Sequence, residues 1–242
     1  MFAKALNSIS SRHHTSQVFD DFLQMAVCAY SMGRSEELYL DIAKKYNQEE
    51  IKGIGESLGA LISEHEKQNN SGEWKDFLGN YFEEFGQNNS KMGQFFTPVS
   101  ICNLMADFTN DEKKEFRQTV NDPSCGSSRN LIAHSMKNPL NRFNYFYIGQ
   151  DLDKRCCLMS VLNFVMFGMS GVVIYMNCLS LEIYGGWRIW MPETLLGVQP
   201  LSVEECRQFL HVKEDQTFVE EKIKISKQEP ISIDKYPLTL FD

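Results

Sequence analysis

The chain of 242 residues has no surplus of positive charge: 32 acidic side chains against 24 lysines and arginines leave it at −8. A protein that holds a polyphosphate backbone by itself wants the opposite sign, so unaided tight binding of nucleic acid is disfavoured. No apolar run reaches the roughly 20 residues that a membrane-spanning helix requires. The longest, Phe164 to Met176, is interrupted by Gly168 and Gly171 and reads as helix, turn and strand. The seven cysteines include no Cys-x-x-Cys pair, which argues against a zinc cluster or a disulfide framework and suits a reducing cytoplasm. Prolines number seven and are never adjacent, and no internal repeat is visible.

What is present divides unevenly. Between Ser35 and Phe85 twelve acids face five bases, so nearly all of the excess negative charge lies there. The same part is helical in pattern. Val18, Phe19, Phe22, Leu23, Met25, Ala26 and Ala29 recur at helical spacing, as do Trp74, Phe77, Leu78, Tyr81, Phe82 and Phe85. Such stripes are most simply helix–helix core. The polar stretches "KQNNSGE" and "GQNNSKMG" are loop signals.

From about residue 93 the pattern changes. Pro98 stands where a helix can start without losing a hydrogen bond, and Ile101, Leu104, Met105 and Phe108 follow as an apolar face. "FRQTVNDP" reads as a strand, "SSRNLIAHSMK" as a helix and "NRFNYFYIGQD" as a strand. "DKRCCLMSVLNFVMFGM" is then a helix and "GVVIYMNCLSLE" a strand. This alternation predicts an α/β fold, a parallel sheet covered by helices, preceded by an α-helical N-terminal region. The expected divisions are a helical region over 1–90, a ligand-binding α/β domain over 91–212 and a polar tail over 213–242.

The turn "NDPSCGSS", residues 121–128, is built of small side chains directly after the first strand. Ligands of parallel sheets bind at the carboxyl ends of strands, where a turn feeds a helix N-terminus and its N–H groups are expected to face outward. Asp151 ends the next strand, 29 residues beyond Asp122, where a carboxylate can accept both hydroxyls of a ribose. A small turn and an acid at that distance predict an adenosine-containing ligand without fixing which one.

Four blocks in order are similar to the adenine-N6 DNA methyltransferases, especially the modification subunits of type I restriction systems: "DFLGNYFEEFG" with "GQFFTP", then "DPSCGSS", "GQDLD" and "VVIYMNCLSLE". The resemblance spans about residues 74–182. It implies a Rossmann-like domain dependent on S-adenosylmethionine. Carried over by position, Phe96, Thr97 and Pro98 would line the methionine end. Asp122, Pro123, Ser124 and Gly126 would form the floor, with Asp122 near the ammonium. Asp151 would take the ribose hydroxyls, Leu152 would pack on adenine, and Asn177 would read the adenine amine with its oxygen. No metal is implied. One departure is Ser128, where the family usually has glycine.

The resemblance also implies an Asn-Pro-Pro-aromatic motif that holds the target amine once the base is flipped out. It is missing. Asn138-Pro139 is the one Asn-Pro pair, it precedes Asp151, and it reads as a turn. Catalytic residues are therefore not assigned. Two functions stand: adenine-N6 methylation of DNA, with a partner subunit supplying target recognition, or a catalytically silent cofactor-binding or scaffold subunit of a DNA-modification or mobile-element complex. The ending "PLTLFD" is similar to the peptide by which bacterial proteins dock on the sliding clamp, with Leu238, Leu240 and Phe241 as its apolar anchors.

Overall fold

A computed structural model describes residues 1–9, 12–69, 74–86, 95–109, 118–138, 145–190 and 197–210. Met1–Phe209 form one compact unit and Leu210–Asp242 a second. Apart from Leu210, the second unit lies outside the described residues, and so do "EKIKIS" and "PLTLFD".

Ahead of residue 90 stand α1 (Phe2–Ile9), α2 (Thr15–Ala29), α3 (Glu36–Ala43), α4 (Gln48–Asn69) and α5 (Phe77–Gly86). The stripe on α2 is buried from Val18 to Ala26 as its spacing predicts. Leu78, Tyr81 and Phe82 do the same for α5. Phe2 ties the first helices together, its ring 5.3 Å from that of Phe22 and 5.4 Å from that of Tyr81.

Next come α6 (Val99–Thr109), β1 (Gln118–Asp122), α7 (Arg129–Lys137), β2 (Tyr145–Asp151), α8 (Lys154–Met166), β3 (Gly171–Asn177), β4 (Glu182–Trp190), β5 (Gly197–Leu201) and α9 (Val203–Leu210). The sheet runs β1-β2-β3-β4-β5 in space. The strands β1, β2 and β3 are parallel, with Asp122 opposite Gly149 and Asp151 opposite Tyr175. The expected all-parallel sheet is corrected here, because β4 and β5 add to β3 antiparallel. A short loop after Asn177 permits only a hairpin return, whereas a parallel partner would need a crossover of a dozen residues or more.

Both crossover helices lie on one face of the sheet. His134 of α7 meets Tyr147 with ring centroids 5.9 Å apart, and Phe164 of α8 meets the same ring at 6.2 Å. On the other face Phe209 of α9 stacks on Phe146 of β2 at 5.9 Å. The interior of α8, Cys156 to Val165, is buried all round. That is the pattern of a helix with apolar neighbours on every side. The sheet covers one side and α2 and α5 the other, so the helices before residue 90 and the sheet share a single core.

The expected apolar face of α6 is real but turned outward. Ile101, Leu104, Met105 and Phe108 are exposed, Phe108 by 80 %, while the helix buries Cys102 and Ala106. Small residues let α6 lie close on α7, and the large ones are left on the far side. No described helix is long and apolar enough to cross a membrane.

Candidate functional site

The turn after β1 folds back on the end of β2. Ser124 donates its N–H to Asp122 Oδ1 at 3.1 Å, Cys125 to the Gln150 carbonyl at 2.8 Å, and Gly126 to Asp151 Oδ2 at 2.9 Å. Ser128 donates to the Cys125 carbonyl at 2.7 Å. The sequence led us to expect these amides to face outward; instead four of them are satisfied inside the protein. A turn wired this way is a poor cradle for a phosphate, which needs free N–H donors. It presents carboxylates instead. Asp151 is half-buried and its other oxygen accepts the Asp153 N–H at 2.8 Å. Burial pushes its carboxyl above the usual range, and the Asp153 and Gly126 amides pull back against that.

Gly126 has φ +55, and a Cβ there would stand 2.8 Å from the Phe96 ring. Both the left-handed backbone and the close ring require glycine. Phe96, from the segment before α6, thus lies directly on the turn. Ser128 also adopts the left-handed region, with φ 72 and ψ 27. Its side chain is fully buried and points into the core, donating to Ser160 Oγ at 2.7 Å. Ser128→Gly removes backbone strain of about 1 kcal/mol and a hydrogen bond of about the same size. Its melting temperature should therefore stay within roughly 4 °C of wild type, and a larger fall in calorimetry would mean that the hydroxyl dominates.

Beneath the turn lies a cluster that sequence reasoning missed. Asp76 is fully buried. Its Oδ1 accepts the Gly79 N–H at 2.8 Å and Asn163 Nδ2 at 3.0 Å. Its Oδ2 accepts Ser127 Oγ at 2.5 Å and Arg129 Nε at 2.8 Å. Arg129 continues to Asn80 at 2.9 Å and Glu83 at 2.8 Å, and its guanidinium lies 5.1 Å from the Phe96 ring centroid. Glu83 in turn accepts the Phe96 N–H at 3.1 Å. One carboxylate thereby joins α5, α7, α8 and the turn, while Arg129 and Glu83 hold the Phe96 segment against them. The only sequence signal was Asp76 as a helix cap before Gly79; its reach to Arg129, 53 residues on, had none.

The remaining candidates fall around this frame. Asp122 Oδ2 accepts Asn130 Nδ2 at 3.1 Å. Pro123, Ser124 and Pro98 are exposed and Thr97 is half-buried. Leu152 is 57 % exposed at the end of β2, free to meet a ligand. Cys178, in the loop after β3, is near enough to Asp151 and Asp122 for both to raise its thiol, after burial. Asn177 needs a correction. Its side-chain oxygen accepts the N–H groups of Leu179 at 3.0 Å and Ser180 at 3.1 Å, which uses both lone pairs. The amide –NH₂, not the oxygen, is what Asn177 has left to offer a ligand. Asn138 turns inward, donating to the His134 carbonyl at 3.0 Å, and Pro139 lies outside the described residues.

Asp122 and Asp151 thus stand together at the carboxyl ends of the parallel strands β1 and β2, the place where sheets of this kind carry their sites. Residues 73–179 match the family model described as N-6 DNA methylase. The match supports an adenine-N6 DNA methyltransferase assignment for this segment. No curated protein and no solved structure matches it.

Proposed function

We propose that the β1–α7–β2–α8–β3 run is a Rossmann-like cofactor half whose ligand is S-adenosylmethionine, and that the chain serves methylation of adenine N6 in DNA. The observation that carries this is the inward wiring of the turn, with Gly126 N–H bound to Asp151. It leaves carboxylates rather than amides for the ligand. A dinucleotide wants free amides; a nucleoside carrying an ammonium and a sulfonium wants carboxylates. Asp151 would accept the ribose hydroxyls, Asp122 would face the ammonium, Phe96 would bound the methionine end, and Leu152 would cover the adenine. Asn177 Nδ2 would donate to a ring nitrogen. When bound, the group supplies a methyl on a positively charged sulfur; these side chains orient it and keep its charge paired.

A second reading, a catalytically silent cofactor-binding subunit, is favoured by Asn138. In the one Asn-Pro pair the amide is buried and bonded to its own helix, so it cannot hold a target amine. Under either reading a partner supplies target recognition, since the chain's −8 charge does not favour DNA by itself. Equilibrium dialysis against S-adenosylmethionine and ATP, run beside tritiated methyl transfer to adenine-containing DNA, separates them. Binding of the sulfonium nucleoside in preference to ATP supports the site, and transfer decides between the readings. Preference for ATP, or no binding of either, overturns both. The sliding clamp is proposed as a further partner of the tail; capture by a bacterial clamp that persists after deletion of Leu238–Asp242 would end that proposal.

A further inference from the structure

A separate cleft of about 330 Å³ opens between α2 and α3 on one side and β3, β4 and β5 on the other. By liquid volume it has room for about ten waters, within the range of small-molecule sites. None of its lining residues belongs to the cofactor set. Its apolar walls include Leu158, Tyr175 and Trp187. Gly185 also lines it, with φ +145, a conformation that keeps side chains out of the wall.

The charges in the cleft are one-sided. Lys154 lines it, and among the described residues no carboxylate does, in a chain whose net charge is −8. Glu182, outside it, accepts the Tyr184 hydroxyl at 3.0 Å. Lys154 is the first residue of α8, where the helix dipole disfavours a cation and favours an anion. Its ammonium lies 3.2 Å from Gln24 Oε1, and the Ser35 hydroxyl and the Cys28 thiol, which bond to each other, also line the cleft near it. Burial leaves that thiol protonated, with its acidity weakened, and so a neutral member of the group.

We infer that this cleft is a second ligand site, taking a flat, largely apolar molecule with one negative charge, its rings against Tyr175 and Trp187 and its anion on Lys154. The α8 N-terminus and Lys154 together supply the attraction, and the aromatic walls supply the contact area. The inference does not depend on what the cofactor site binds.

The test uses 8-anilinonaphthalene-1-sulfonate as the anionic probe and N-phenyl-1-naphthylamine as its uncharged counterpart, followed by fluorescence on the full chain. Saturable one-to-one binding of the sulfonate is expected. Lys154→Gln should weaken it about tenfold and leave the neutral amine within twofold, and Gln24→Glu should act the same way. Lys154 is exposed, so the first variant is expected to fold. The inference is overturned if the sulfonate does not saturate, if Lys154→Gln leaves both probes unchanged, or if it weakens both equally. It is also overturned if Phe108→Ser, on the exposed face of α6, abolishes binding while Lys154→Gln does not.

Discussion

Asp76→Ala should lower the stability of this protein by about 3–5 kcal/mol, the range for removing one partner of a buried ion pair. For a domain of this size that is a fall in melting temperature of roughly 10 °C or more. The reason lies in the accounting of donors. Asp76 is fully buried, and its two oxygens accept four hydrogen bonds, from Gly79, Asn163, Ser127 and Arg129. Truncation leaves the Arg129 guanidinium, itself buried, with Glu83 as its one remaining carboxylate among the described residues. It also strands Asn163 Nδ2 on one side and uncaps α5. Asp76→Asn keeps one acceptor oxygen but turns a donor toward Ser127 and Arg129. It should cost about 2–3 kcal/mol, the value of charge-assisted bonds exchanged for a mismatch. Differential scanning calorimetry on both variants checks the order. A melting temperature within about 3 °C of wild type for the alanine variant would show that the cluster is not what holds the turn.

The second large effect is a dependence on pH. His65 is 2 % exposed, neither of its ring nitrogens has a hydrogen-bond partner among the described residues, and its ring is set edge-on between Phe77 and Phe167 at 5.0 and 4.9 Å. Burial pulls its imidazole down to about 4, with Asp76 and Glu64 opposing weakly. The folded protein therefore keeps His65 neutral where the unfolded chain, titrating near 6.5, binds a proton. Above pH 6.5 both states are neutral and the residue is silent. As pH falls from 6.5 to 4 the unfolded state gains protons first, so stability is lost across that window. The slope approaches 1.4 kcal/mol per pH unit and the total is about 3 kcal/mol. His65→Leu fills the space with no titrating group. In urea unfolding, its stability relative to wild type should rise steadily as pH drops through this window. A difference that stays flat from pH 7 to pH 4.5 would contradict the buried neutral ring.

Much of the architecture was legible because periodicity is a local signal. The stripe on α2, the α8–turn–β3 sequence around Gly168, and the strand–turn–helix at Asp122 all lie where spacing and small residues put them. The position of Asp151 against the turn was legible for the same reason: one crossover brings consecutive parallel strands side by side. What was not legible depended on packing between distant segments. The stripe of α6 gives no sign of which side meets α7, and Cys102 and Ala106 win because they are small. The antiparallel β4, with Gly185 and Gly186 breaking its alternation, lies in a stretch to which the sequence pattern assigned no element. The direction of the turn's N–H groups follows from where Gln150 and Asp151 stand in space. Asp76 and Arg129 stand 53 residues apart in the sequence, and only the fold makes them partners.

The most direct test is isothermal calorimetry of S-adenosylmethionine binding to wild type and to Asp151→Asn, with circular dichroism to show that both are folded. The substitution keeps an acceptor for one of the Gly126 and Asp153 amides, turns a donor toward the other, and removes the charge that would hold the ribose, so affinity should fall by about 10- to 100-fold, the value of one or two hydrogen bonds to a charged group. Equal affinity for the two proteins would place the ligand elsewhere and contradict the account.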